Sequence, residues 1–129
     1  MAGELVLIVE DDATNLKLAR YVLEFAGFEV LAATTAEEGI TLARERQPAV
    51  VLLDIQLPGI DGFAALAALR ADPATKHLTV AAFTASVMRE DVARITAAGF
   101  DGYIAKPISV DAFPEQVRRL CAHWRAGSA

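Results

Sequence analysis

Five short apolar runs, separated by stretches with helical spacing, restrict what this 129-residue chain can fold into more than any other feature. Residues 5–9 (LVLIV) and 49–53 (AVVLL) are continuously apolar, too short for helices and rich in valine and leucine. Such runs read as strands buried on both faces. Residues 28–32, 78–83 and 102–105 form shorter runs of the same kind. The first intervening segment places Leu16, Ala19, Val22, Leu23 and Ala26 on one helical face, with Gly27 as a stop. The second opens at Thr34 or Thr35, capping hydroxyls followed by Glu37 and Glu38, and ends before Pro48. A third helix is predicted over 62–70, ahead of Asp72-Pro73, a fourth over 86–98, stopped by Gly99, and a fifth over 109–125. Pro114 falls near the first turn of the fifth, where a helix tolerates proline best. Five strand-then-helix units in series require a parallel sheet, because parallel neighbours need long crossovers and helices supply them on both faces. The expected unit is one α/β domain over residues 1–129, with a core of about 5–125 and short tails.

Composition narrows the function classes. With 54% hydrophobic and 22% charged residues the chain is not of a disordered type. Its formal charge of -5, with no basic run, argues against direct binding to nucleic acid or an anionic membrane. Cys121 is the only cysteine, which excludes an intramolecular disulfide and fits a reducing compartment. The start, MAGELVLIVEDD, has no basic leader region, and no apolar run reaches membrane-spanning length. A soluble cytoplasmic protein is expected.

The strand ends carry the chemistry. In an open parallel sheet, ligands sit at the carboxyl ends of the strands, near the point where strand order reverses. Here Glu10, Asp11 and Asp12 follow the first run, Asp54 ends the third, Thr84 ends the fourth, and Lys106-Pro107 follows the fifth. Four apolar residues running straight into Asp54 make sense if the strand is a rigid mount for an exposed carboxylate at a site. Clustered acids raise one another's pKa unless something neutralises them. A hard cation such as Mg²⁺ does so with a few carboxylates and several waters, and Lys106 can act from the opposite side. A site with a metal, a lysine and a hydroxyl suits phosphoryl oxygens, and a carboxylate within it can accept a phosphoryl group.

Taken together, VLIVEDD, LLDIQLPGIDG, FTAS and YIAKPIS resemble the CheY-like receiver domain of bacterial two-component response regulators, over about residues 5–125. Asn15 and AKPIS make the chain most similar to the DivK-type single-domain regulators and the receivers of hybrid kinases. The resemblance implies a doubly wound, flavodoxin-like five-stranded sheet of order 2-1-3-4-5 with five helices. It implies Asp54 as phosphoacceptor, and Glu10 and Asp11 as the acidic pair that holds Mg²⁺, with Asp11 the more direct ligand. Gln56 matches the position whose backbone carbonyl binds the metal. Thr84 matches the hydroxyl on the phosphoryl group, Lys106 its lysine partner, and Tyr103 the aromatic switch. Glu10 departs from the commoner aspartate, and its extra methylene bears on how it meets the metal. A cis bond is implied at Lys106-Pro107. The implied function is a stand-alone receiver that takes a phosphoryl group from a histidine kinase or a histidine phosphotransfer protein. It would signal to a downstream protein through the fourth helix, fifth strand and fifth helix, as a monomer or weak dimer. It would not turn over an external substrate, although it would assist its own Mg²⁺-dependent phosphorylation and dephosphorylation.

Plainer roles stand beside these. Asp11 and Asp12 can each read as a cap of the first helix, Asp12 mostly so, and Asp61-Gly62, Asp101-Gly102 and Lys106-Pro107 as turns. His77 and His123 lack metal-ligand spacing and read as surface residues, while Cys121 and Trp124 read as packing in the last helix. Two other functions compete. One is a pseudo-receiver scaffold that never takes phosphate, against which acceptor, acids and lysine are all present. The other is an aspartyl-nucleophile phosphatase of the haloacid-dehalogenase kind, which needs an acid two residues after the nucleophile, where Gln56 stands. A flavodoxin-type carrier would have its flavin phosphate repelled by these acids.

Overall fold

A computed structural model of the chain describes residues 3–57, 59–85 and 88–128, the side chains of 123–128 excepted. The apolar runs form β1 (Leu5–Val9), β2 (Glu29–Ala33), β3 (Val50–Asp54), β4 (Val80–Thr84) and β5 (Gly102–Ala105). The helices between and after them are α1 (Ala13–Phe25), α2 (Ala36–Arg46), α3 (Gly62–Ala71), α4 (Arg89–Ala98) and α5 (Phe113–Ser128). All strand pairs are parallel, in the order β2-β1-β3-β4-β5. Strand order therefore reverses at β1, and the crevice between the ends of β1 and β3 is where a doubly wound sheet binds its ligand.

Alternation along the buried strands divides the core in two. Val6, Ile8, Leu52 and Phe83 point toward the layer that holds Ala19, Val22 and Leu23 of α1 and Phe113 and Val117 of α5. Leu7, Val9, Leu53 and Ala82 point to the other layer, which holds Ala43, Leu66, Leu69 and Ile95. Every residue of β3 and β4 is buried, as expected of strands covered on both faces. Gly39 of α2 lies so close to this layer that an added Cβ would meet Val9 Cγ2 at 2.6 Å, which lets α2 settle against β1.

Several boundaries differ from those read in the sequence. β2 runs over 29–33 rather than 28–32, because the Phe28 N–H is used in the turn that ends α1, where it donates to Leu23 O. β3 and β4 begin later than expected and include Asp54 and Thr84, whose ladder partners are Phe83 and Ala105. α4 begins at Arg89, and Ser86 lies outside the described residues, as does Pro58 of the LPGIDG motif. α5 begins at Phe113 rather than Ser109, since a turn in which Phe113 N–H donates to Ser109 O precedes it. Pro114 is thus the second helical residue, where its missing N–H has no helical partner to lose.

The caps explain the other ends. Thr35 rather than Thr34 caps α2, its hydroxyl accepting from Glu38 N–H, while the Glu38 carboxylate accepts from Thr34 N–H. α2 ends with Gln47 in the left-handed region, just before Pro48. Asp61 is more than a turn residue, for it caps α3 by accepting from Ala64 N–H at 2.9 Å. Asp101 likewise accepts from Val80 N–H and from Arg70 Nη2, pinning α3 to the start of β4 and β5. His77 is exposed and Cys121 is buried, as expected; the side chains of His123 and Trp124 lie outside the described residues.

Candidate functional site

The register of β1 and β3 builds the site. Val9 lies opposite Leu53, so the next residues, Glu10 and Asp54, emerge side by side at the carboxyl edge. Asp11 follows directly on the loop into α1. Carboxylate oxygens of Glu10, Asp11 and Asp54 all lie within 4.8 Å of one another. Glu10 and Asp54 are buried, at 1% and 3% exposure, and Asp11 is open to solvent. The sequence predicted an exposed carboxylate at Asp54; the structure sinks it to the floor of the cleft, because it is still part of the sheet.

Asp12 does not join the cluster. Its carboxylate caps α1 by accepting from Asn15 N–H at 2.9 Å, and its own N–H donates to Glu10 Oε2 at 3.1 Å. The side chain of Gln56 is exposed, while its backbone N–H donates to Asp54 Oδ1 at 2.9 Å and fixes that carboxylate from the loop side. Gly62 lets this loop close. Its N–H donates to Ile55 O, and an added Cβ would come 2.7 Å from Asp54 O and closer still to Ile55 Cα.

The cation arrives from β5. Lys106 follows that strand, its N–H donates to Thr84 O at 2.7 Å, and its peptide bond to Pro107 is cis. Its ammonium stands 2.9 Å from Glu10 Oε1 and 3.2 Å from Asp54 Oδ2, and 5.2 Å from the centre of the Phe83 ring. The sequence reading had Lys106 offset the clustered acids and pair with the phosphoryl group, without saying which acid it meets; the shorter contact here is to Glu10. Two residues 96 positions apart give no local pattern from which that bridge could be read. Burial pushes the Glu10 carboxyl above its ordinary value, and the negative charge of Asp54 adds to this, against the opposing pull of Lys106 and of Asp12 N–H. For Lys106, burial would lower the pKa, but the hydrogen bond to Glu10 and the charge of Asp54 outweigh it and raise it. The ammonium is thus held charged between two buried carboxylates.

Thr84 is buried at the end of β4, paired with Ala105, the residue before Lys106. Tyr103 pairs with Ala82 in the ladder and is 45% exposed, so its ring lies outside the core. An all-oxygen, acidic donor set with one open side fits a hard divalent cation. Among the described residues no other group of three acidic, histidine or cysteine side chains has metal-binding geometry.

The fold agrees with that of similar proteins. The model of the response regulator receiver domain matches residues 6–118. This chain belongs to the response regulator receiver family. It is 41% identical over 113 residues to the polar-differentiation response regulator DivK of Brucella ovis and of Brucella suis, covering 88% of this chain and 92% of each relative. Among solved structures, a putative response regulator from Chloroflexus aurantiacus is 32% identical with a TM-score of 0.86, covering 93% of this chain and 98% of that one. The receiver domain of a sensor histidine kinase from Pseudomonas aeruginosa, solved with a magnesium ion coordinated in its active-site cleft, is 26% identical with a TM-score of 0.81, covering 95% and 98%. Receiver domains act in two-component signalling with histidine kinases and downstream proteins, and bind Mg²⁺ in the acidic pocket. They are not turnover enzymes of the usual kind. No helix among the described residues is long and apolar enough to cross a membrane.

Proposed function

We propose that the chain acts as a single cytoplasmic receiver domain that accepts a phosphoryl group on Asp54 from a phosphohistidine donor and passes the signal on by protein contact. The observation that carries this reading is the meeting of Glu10, Asp11 and Asp54 with the Lys106 ammonium at one strand-end crevice. An Asp54 oxygen attacks phosphorus, the bond from phosphorus to the donor imidazole breaks, and the imidazole nitrogen keeps the electron pair. Asp11, Asp54 and the Gln56 backbone carbonyl would hold Mg²⁺, with Glu10 completing the acidic set, directly or through water. Bound there, Mg²⁺ supplies positive charge that offsets the phosphoryl oxygens. Lys106 and the Thr84 hydroxyl are the nearby donors for those oxygens. The same residues assist later hydrolysis of the acyl phosphate, so the lifetime of the signal is set within the site.

The output reading follows from placement. Drawing Thr84 toward a phosphoryl group vacates space near the end of β4, and the exposed ring of Tyr103 on the neighbouring strand can turn into it. That exchange reshapes the face of α4, β5 and α5, where a downstream protein would bind. The test is incorporation of phosphate from a small acyl phosphate with Mg²⁺. The parent chain should be labelled, chelation should suppress labelling, and Asp54→Asn should abolish it. Equal labelling of parent and variant would refute the assignment.

A further inference from the structure

The Lys106 side chain has to cross a strand to reach the acids. Lys106 follows β5, Asp54 ends β3 and Glu10 follows β1, and β4 lies between β5 and β3. Neighbouring strands are about 4.8 Å apart, so the stem travels roughly 10 Å across the sheet to meet Asp54. The β4 residue in its way is Phe83, the ladder partner of both Asp54 and Ile104. Phe83 belongs with Ile8, Leu52 and Ile104 to the layer packed by α1 and α5. Glu10, Asp54 and Lys106 each stand two residues beyond one of those three, so alternation returns them to the same face. Acid, acid, ring and lysine thus form one row across four adjacent strands.

The ring in that row is held still. Phe83 is buried and stacks on the fully buried Phe113, with centroids 6.1 Å apart and planes 14° from parallel. The Lys106 ammonium lies over it, 5.2 Å from its centre. Contacts of 2.9 Å to Glu10 and 3.2 Å to Asp54 hold the charge, but two points leave a long, flexible stem free to swing about the line that joins them. A third point removes that freedom. The negative face of an aromatic ring attracts an ammonium at this range, and more strongly where water is scarce, as around a lysine side chain only 12% exposed. An aliphatic side chain at position 83 would fill the same volume without that attraction.

We infer that Phe83 is a positioning residue for phosphoryl transfer: its ring, fixed by Phe113, sets the Lys106 ammonium beside Asp54 where it meets the incoming phosphoryl oxygens. This role presupposes Asp54 as the phosphoacceptor. Phe83 touches no reacting atom and acts only through the lysine, by keeping it from settling wholly on Glu10.

The test puts difluoro- and trifluorophenylalanine in place of Phe83 by amber-codon suppression, which drains the ring face of negative charge and keeps its shape. Phe83→Leu removes the ring, and melting curves check folding throughout. One readout needs no phosphate: the ε-methylene proton shift of Lys106 in chain made with isotope-labelled lysine, where only Lys17 and Lys76 share the label. In the parent the ring should shift the Lys106 signal upfield of the other two, and Phe83→Leu should return it to their position. The other readout is the rate of labelling by acetyl phosphate with Mg²⁺, in which an Asp54 oxygen attacks phosphorus and acetate leaves with the electron pair. That rate should fall stepwise with fluorination, about threefold for the trifluoro ring, and about tenfold for Phe83→Leu. A rate unchanged through the fluorinated series, whatever Phe83→Leu does, would reduce the ring to packing and overturn the inference. So would a Lys106 signal that Phe83→Leu does not move. A parent chain that takes no phosphate would overturn the phosphoacceptor reading and this role with it, whereas either of the first two results in a labelled parent overturns this role alone.

Discussion

Replacing Lys106 with methionine keeps the stem and removes the one cation shared by two buried carboxylates. The ammonium lies 2.9 Å from Glu10 and 3.2 Å from Asp54, whose side chains are 1% and 5% exposed. Breaking a buried pair from one side ordinarily costs about 3–5 kcal/mol. Here the loss has a ceiling, because Glu10 can escape by taking up a proton, and its carboxyl is already pushed above its ordinary value. Holding a proton at pH 7 on a group whose ordinary value is 4.5 costs about 3.4 kcal/mol, at about 1.36 kcal/mol per unit. At pH 5 the same ceiling is only about 0.7 kcal/mol. The sign follows from linkage. In the variant the folded pKa of Glu10 rises further, so stability is fully present below 4.5 and is lost as pH climbs through the new folded value. The stabilisation owed to Lys106 in the parent is fully present below 10.5, so the Lys106 ammonium itself adds no slope between pH 5 and 7. Urea unfolding followed by far-UV circular dichroism, with chelator present, should show Lys106→Met less stable by about 2–3 kcal/mol at pH 7 and by less than about 1 kcal/mol at pH 5. Added Mg²⁺ should return part of the loss at pH 7, since a cation bound only to the folded state stabilises it. An equal difference at both pH values, or no difference at pH 7, would refute the reasoning.

Other outcomes test neighbouring parts of the structure. At Gly62, helix propensity favours alanine by about 1 kcal/mol, but the added Cβ would meet backbone that cannot step aside. Gly62→Ala should therefore destabilise by about 1–3 kcal/mol in the same unfolding assay, and a more stable variant would show that the loop of residues 55–61 yields freely. Asp11→Ala should weaken Mg²⁺ binding in a titration at least tenfold, whereas Asp12→Ala should keep it and lose about 1 kcal/mol of stability with its cap; the reverse pattern would move the ligand assignment by one residue. Thr84→Ala should still be phosphorylated while amide NMR shifts induced by a phosphoryl mimic no longer reach α5; shifts that still reach it would exclude Thr84 as the link.

What the sequence disclosed, and what it hid, follows from the range of the interactions. Strands β1 and β3 were legible because burial on both faces demands unbroken apolar runs. The rim residues were legible because a parallel sheet fixes where its strand ends lie, so Glu10, Asp11, Asp54, Thr84 and Lys106 could be placed together before any distance was known. Helix starts were harder. Both Thr34 and Thr35 offer a hydroxyl, and only the geometry assigns the cap to Thr35 and the return contact to Glu38. Ser109 looked like a helix start because its hydroxyl does accept from Ala112 N–H, but that turn is not continued as α-helix until Phe113. Arg70 was invisible. Its guanidinium donates to Lys76 O, Leu78 O, Gly99 O and Asp101, tying α3 to the loops before β4 and β5, and no spacing rule marks a lone arginine at a helix end.

The arrangement of Lys106 also bears on how a signal leaves the site. The same ammonium that touches Glu10 and Asp54 lies over Phe83, which stacks on the fully buried Phe113 with centroids 6.1 Å apart. Phe113 is the first residue of α5, so a line of packed groups runs from the acid cluster to the base of that helix. Continuity in space is not coupling; a modification shifts a two-state element only by the difference in its interactions with the two states. Lys106 can supply that difference. Divided between two carboxylates, it has a distinct preferred position once one of them carries phosphoryl oxygens, and leaving Glu10 exposes that carboxyl to the burial that already raises its pKa. Glutamate here is therefore a second holder of the lysine as well as a candidate metal ligand. If Asp54 takes a phosphoryl group as proposed, the reach of Glu10 would limit how far Lys106, and the aromatic contact beneath it, can shift.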